Sequence, residues 1–252
     1  LLTFWVLLGI YLAALLANDL IIITVACDHH LHTPMYFFLL NFSLLDLGSI
    51  STTVTKAMAN SLWNTRDISY LGCAAQVFLF SLLLGAECCL LTVISYDCYV
   101  AICKPLHYGT LLGSRTCAHM AAAAWANPQA LLLTLLPQGS WTSHSYGILL
   151  FGCFVFIVVS YVHIFRAVLR IPSEQGQHKA FSTCLPHLAV VSLFLSTAMF
   201  AHLKPPSISS PVLDFAVLYS VVPPVMNPLI YSMRNKELKD SLQKLARWIV
   251  FH

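Results

Sequence analysis

The stretch Ile94-Ser-Tyr-Asp-Cys-Tyr-Val-Ala-Ile-Cys-Lys-Pro-Leu-His-Tyr108 marks where a long apolar segment stops. From Cys73 to Val100 the only charged residues are Glu87 and Asp97, and Lys104-Pro105 then ends the run. As a helix that run spans about 42 Å at 1.5 Å per residue, more than the roughly 30 Å of hydrocarbon in a bilayer. Working outward, comparable runs recur at Leu1–Ala26, Met35–Ala59, Thr116–Leu136, Tyr146–Arg166, Ala180–Leu203 and Pro211–Met233. The second is the most diluted, by Ser49, Ser51, Thr52, Thr53, Thr55 and Lys56. Composition agrees. The 252 residues are 58% hydrophobic and only 9% charged, and mean hydropathy is +0.78, where a soluble domain carries about a quarter charged residues. Because the runs are continuous rather than alternating, they predict helices and not a barrel. The fold class is an all-α membrane protein, one seven-transmembrane-helix bundle over residues 1–252.

Basic residues orient it. Loops after spans one, three and five, with the tail, hold Lys104, Arg115, Arg166, Arg170, Lys179, Arg234, Lys236, Lys239, Lys244 and Arg247. The opposite side holds Lys56, Arg66 and Lys204. The positive-inside rule places the tail in the cytosol and the amino terminus outside. A net charge of +3 spent on topology leaves no nucleic-acid signal. The chain opens inside an apolar run without methionine. Asn18 and Asp19 follow where a signal peptide would show small residues, so a chain incomplete at its start is expected. The sequon Asn41-Phe42-Ser43 lies within a span and reads as coincidence. In the tail, Leu238, Leu242, Leu245, Trp248 and Ile249 share one face, predicting a short amphipathic helix along the inner membrane surface.

Intramembrane carboxylates carry the strongest functional signal. Asp46 lies about 18 Å of helix from Pro34, and Glu87 about 15 Å from Asp97. Both are therefore expected near the bilayer middle, with Asn18 and Asn227 close by. An isolated charge there costs at least about 2.5–3.5 kcal/mol, so partnering or protonation is required. A cation- or proton-sensitive switch and a protonated packing cluster both satisfy that requirement. Asp19 has no mid-span lysine or arginine to pair with, and is expected to be neutral or destabilising. The stretch Cys27-Asp28-His29-His30-Leu31-His32 contains zinc-type ligands but lacks a second ligand pair at a supporting spacing, and reads as interfacial loop.

Five motifs in order resemble the odorant-receptor family of rhodopsin-like G-protein-coupled receptors. They are Leu31-His-Thr-Pro-Met-Tyr-Phe-Phe-Leu39, the Asp97–Tyr108 segment, Lys179-Ala-Phe-Ser-Thr-Cys184, Pro224-Val-Met-Asn-Pro-Leu-Ile-Tyr231 and Arg234-Asn-Lys-Glu-Leu-Lys239. The resemblance covers nearly the whole chain. It implies a plasma-membrane receptor, not an enzyme, whose partners are a small volatile odorant, a heterotrimeric G protein and the lipid bilayer. By the same resemblance the ligand meets Val77, Phe80, Ser81, Leu84 and Gly85 on the third helix, Leu195, Ala198, Met199 and His202 on the sixth, and Tyr219 on the seventh. Asp97, Cys98, Tyr99, Tyr161 and Tyr231 fall at the family's inner switch positions. Asp46 and Glu87, with Asn227 nearby, resemble a receptor sodium site; Na⁺ is the one ion implied, and no other cofactor is.

Departures from the family pattern also count. Ala17 and Asp19 stand where glycines flank the asparagine, and Thr55 where a proline is common. Cys98 replaces the family's arginine. The second extracellular loop is reduced to about Pro137–Ser145, and the outer end of the fifth helix is expected to be shortened. In the family the cysteine matching Cys73 pairs with one in that loop, so among the nine cysteines Cys73 is expected to be unpaired. These departures keep open a second reading, a non-signalling receptor relic. A retinal-binding protein is excluded because Pro211–Met233 holds no lysine. A transporter or channel would show repeated halves, which are not visible. An intramembrane hydrolase would need a nucleophile or paired-aspartate motif, and the chain has neither.

Overall fold

A computed structural model describes residues 2–63, 69–135, 141–203, 212–234 and 236–251, with side chains at 73, 77, 127–135, 141–146, 197–203, 212–220, 233, 234, 236, 246 and 248–251 outside the description. The described chain is helical: α1 Leu2–Cys27, α2 Pro34–Trp63, α3 Tyr70–Cys103, α4 Ser114–Leu135, α5 Trp141–Leu169, α6 Glu174–Leu203, α7 Val212–Arg234 and α8 Lys236–Phe251. Five of these, α1, α2, α3, α5 and α6, are long and apolar enough within their described residues to cross a membrane.

Local chemistry sets the helix ends. Pro34 opens α2, where its missing N–H costs nothing. Ser69 caps α3 by accepting the Gly72 N–H at 3.1 Å. Pro105 disfavours helical backbone at Lys104, whose N–H still closes onto the Val100 carbonyl at 2.9 Å. Ser173 accepts the Gly176 N–H at 3.3 Å ahead of α6. One boundary corrects the sequence reading. The fifth helix begins at Trp141 rather than Tyr146 and runs 29 residues, so its outer end extends further than the apolar run. Trp141-Thr-Ser-His-Ser145 reads as loop because it is polar, yet its backbone is already helical. Of the short connection Pro137–Ser145, residues 137–140 lie outside the description, as does the Cys73 side chain.

Helix α3 is the hub, packing on α2, α4, α5 and α6, while α7 closes the ring against α1, α2 and α6. The main apolar core runs through Phe38, Phe42, Leu90, Leu91, Ile94, Ile157, Ile164 and Val190. A smaller one, Ala14, Ile50, Val54, Met58 and Val221, joins α1, α2 and α7. The exterior is apolar as well: Leu16 and Phe151 are 63% and 67% exposed. An apolar outside around a partly polar inside is what a lipid solvent selects. Helix α8 packs on α1 and α7 and defines what we term the tail end of the bundle. Leu238 and Ser241 are buried there, with Glu237, Lys239, Asp240 and Lys244 exposed.

Asp19 lies on the exposed face of α1, pointing away from the bundle. Its neighbour Asn18 is buried and points in. A carboxylate on a lipid-facing surface has neither partner nor water, at a cost of about 2.5–3.5 kcal/mol on insertion scales. Asp19→Gly is therefore expected to raise surface expression several-fold without changing ligand response, measured by flow cytometry of tagged receptor. Unchanged expression would mean that Asp19 reaches the headgroup region.

Candidate functional site

The prolines of α7 create the first element of the site. Pro228 has no N–H, so the Pro224 carbonyl four residues earlier loses its helical donor. Asn18 supplies the replacement: its Nδ2 donates to the Pro224 carbonyl at 2.9 Å and to the Ala14 carbonyl at 3.0 Å. One turn further along α7, Asn227 Nδ2 donates to both carboxylate oxygens of Asp46, at 3.0 and 3.3 Å. Glu87 on α3 is buried and within Coulombic range of Asp46. The depth matching expected from sequence thus brings Asp46, Glu87 and Asn227 into one cluster, with Asn18 braced against the same helix.

This cluster has more acceptors than donors. Asn18 Oδ1, Glu87 Oε1 and Asn227 Oδ1 are buried without a hydrogen-bond partner. Buried oxygens are normally paired, and an oxygen surplus beside two carboxylates is satisfied by a proton or by a hard cation. The residues present therefore fit Na⁺. Among the described residues no group of three or more His, Cys, Asp or Glu side chains gathers in metal-binding geometry. Cys27, His29, His30 and His32 accordingly form no ligand set. Asp28 instead accepts from Ser241 Oγ at 2.7 Å and from the His30 N–H at 3.0 Å. The Ser241 bond first, then the His30 bond, hold its carboxyl below the usual range.

Towards the tail end lies a second polar group. His187 on α6 is buried, with Nε2 3.1 Å from the Leu91 carbonyl and Nδ1 3.4 Å from Tyr231 Oη. A carbonyl only accepts, so Nε2 carries the proton and Nδ1 accepts from the tyrosine. The Tyr161 ring stacks on His187 at 6.1 Å, and its hydroxyl reaches the Cys184 carbonyl at 3.5 Å. Cys98 is 3% exposed. It lines a cavity of about 450 Å³ with Ile94, His187, Tyr231, Lys179 and Glu237. Asp97, beside it, accepts from Tyr108 Oη at 2.8 Å. Burial first, then the Asp97 charge and this bond, push the Tyr108 phenol up.

Of the inner switch positions, Cys98, Tyr161 and Tyr231 converge around His187, a residue the sequence reading missed. Its one signal was a lone histidine within an apolar span. Tyr99 diverges, lying at 6.0 Å from His163 and under the Lys104 ammonium at 5.9 Å. Consecutive residues sit about 100° apart around a helix, so positions 98 and 99 cannot share a face. Of the ligand-lining candidates, Phe80, Ser81, Leu84 and Leu195 are half-buried and Gly85 buried. The side chains of Val77, Ala198, Met199, His202 and Tyr219 lie outside the description. Leu84 is about one turn from Glu87, so the carboxylate cluster lies directly below this lining.

A hub helix, a proline-broken seventh helix and a carboxylate cluster between them define a receptor bundle. Residues 17–148 match the model of the seven-transmembrane receptors of the rhodopsin family, and residues 143–247 match that of the olfactory receptors. Human olfactory receptor 14A16 is 43% identical over 94% of this chain and 88% of its own length. Human olfactory receptor 14I1 is 44% identical over 96% and 89%, and olfactory receptor 1G1 of Gorilla gorilla gorilla 40% over 96% and 88%. The chain belongs to the olfactory receptor family. It is an odorant-type G-protein-coupled receptor of the membrane, not an enzyme. Nothing in these likenesses supports the relic or transporter readings. The alignment with 14A16 runs 274 positions, longer than this 252-residue chain, so part of that relative faces gaps here. The two family models meet at 143–148, close to the connection between α4 and α5.

Proposed function

We propose that this receptor binds a small, mostly apolar volatile molecule among the outer halves of α3, α5, α6 and α7, and that binding opens its tail end to a heterotrimeric G protein. The observation that carries the reading is a pair of buried polar groups, Asp46–Asn227 and His187–Tyr231, with Asn227 and Tyr231 one turn apart on α7, set beneath the apolar lining of Phe80, Leu84 and Leu195. Val77, Ser81, Gly85, Ala198, Met199, His202 and Tyr219 complete that lining, with Ser81, His202 and Tyr219 as polar anchors. Ligand binding then shifts a two-state equilibrium, and α5 and α6 part at the Tyr161–His187 stack. Asp46 and Glu87, with the Asn227 amide oxygen, would hold Na⁺, which would supply the positive charge that favours the resting state.

The tail end faces the cytosol on this reading and the amino terminus faces outward, at the plasma membrane. Basic-residue asymmetry supports it. The face of α8 bearing Leu242 and Leu245 lies along the inner leaflet. An epitope tag after His252 is expected to stain only permeabilised cells; staining of intact cells would reverse the topology. The function is tested by second-messenger accumulation against an odorant panel at matched surface expression. Leu84→Trp should fill the lining and shift or abolish the ligand response while leaving surface expression within about twofold. An unchanged dose–response curve for every active odorant would remove this lining from the binding site.

A further inference from the structure

The inner ends of α3 and α5 enclose a cleft of about 360 Å³, separate from the cavity of Cys98, His187 and Tyr231. Tyr99, Cys103, His163, Arg166, Ala167 and Arg170 line it. The two helices are held together there by the Cys103 thiol donating to the His163 carbonyl at 3.8 Å and by the Tyr99–His163 ring contact. Lys104 adds its ammonium over the Tyr99 ring. Three permanent cations and a histidine thus gather at one rim of the bundle. The carboxylates nearest in sequence do not answer them. Asp97 faces inward and is taken by Tyr108, and Glu174 opens α6 without an ion pair to either arginine.

The helix face above the cleft changes character. Val155, Val159 and Val162 are exposed and apolar, and His163, Arg166 and Arg170 continue the same side at spacings of three and four. Val159 to Arg166 is about 10 Å of rise, the step from acyl chain to headgroup. The cleft also lies on the rim and not in the central cavity of Cys98, His187 and Tyr231, where a protein partner would enter.

We propose that this cleft is a binding site for an inner-leaflet inositol phospholipid, with Arg166 and Arg170 gripping a ring phosphomonoester and the valine face of α5 taking an acyl chain. A phosphomonoester carries about −1.5 to −2 charge on three terminal oxygens, enough for two guanidinium forks at once, whereas a phosphodiester headgroup has a single charge shared by two. Basic pockets between membrane helices on the cytosolic side suit such headgroups. The assignment rests on the tail end facing the cytosol.

The test uses the full chain in phosphatidylcholine nanodiscs doped equally with phosphatidylinositol 4,5-bisphosphate, phosphatidylinositol or phosphatidylserine, with retained lipid counted by native mass spectrometry. Nanodiscs offer lipid on both faces, so a wrong topology cannot cause failure here, and the tag experiment reads topology separately. The bisphosphate lipid should be retained about tenfold over phosphatidylserine. Arg166→Gln with Arg170→Gln should erase that preference, Arg166→Lys with Arg170→Lys should keep part of it, and Lys239→Gln with Lys244→Gln should leave it intact. On the unmodified chain, a photoreactive acyl chain on the same lipid should cross-link within residues 155–166, which holds even if the glutamine variant does not fold. Equal retention of all lipids, cross-links confined to α8, or competition by soluble inositol trisphosphate at the lipid's own concentration would each overturn the proposal. So would loss of G-protein binding, with no loss of lipid, in the glutamine variant.

Discussion

Replacing Cys98 by arginine is expected to raise odorant-driven second-messenger accumulation about tenfold or more at matched surface expression. Cys98 is buried at the head of the tail-end cavity, facing His187, Tyr231 and Glu237. A thiol is a weak, uncharged donor, whereas a guanidinium offers five donors and a fixed charge. The cavity's volume of about 450 Å³ leaves room for the longer side chain without moving a helix. Asp97 is already engaged by Tyr108, so the new cation would be directed into the cavity and towards a docking partner. Hydrogen bonds to charged groups contribute about 1.5–3 kcal/mol, which sets the tenfold scale. Cys98→Lys should recover less, because a point charge lacks the fork. Full signalling by the unmodified chain, unchanged by arginine, would show that position 98 does not limit coupling.

The second large effect is expected at Glu87. Glu87→Gln keeps the shape of the side chain but removes a carboxylate beside Asp46 and replaces one acceptor oxygen with a donor, so the cluster's excess of acceptors falls without a proton or a cation. Thermal melting of the purified receptor should rise with Na⁺ in the unmodified chain and become independent of Na⁺ in Glu87→Gln. Asn227→Ala should act in the opposite direction. It strips Asp46 of the Asn227 donor and leaves a buried carboxylate unanswered, a loss of about 1–3 kcal/mol. A melting curve of the unmodified chain that ignores Na⁺ across the millimolar range would reduce the cluster to protonated packing.

Much of this architecture is legible in the sequence because lipid imposes a simple grammar. A run of about 20 apolar residues is a span, and Pro34 and Pro105 mark helix ends by what they cannot donate. The Asp46–Glu87 meeting follows from helical rise alone. The misses have equally definite causes. Hydropathy cannot separate polar helix from loop, which hid the start of α5 at Trp141. His187 stayed hidden because an apolar run does not reveal which face turns inward. The Asp97–Tyr108 bond depends on a turn of backbone between Lys104 and Tyr108 that no periodicity encodes. Motif adjacency suggested that Cys98 and Tyr99 act together; helical geometry sends them apart.

The Asn18–Pro224 contact also dictates an order of assembly. It joins residues 206 positions apart, on α1 and α7. Until α7 arrives, Asn18 has only the Ala14 carbonyl of its own helix to donate to; until α1 is in place, the α7 carbonyl freed by Pro228 faces hydrocarbon. Neither end of the chain is comfortable in the bilayer without the other. The clasp therefore acts as a completion mark: a nascent chain that stalls before α7 displays a polar lesion on its first helix, and only the finished ring conceals it.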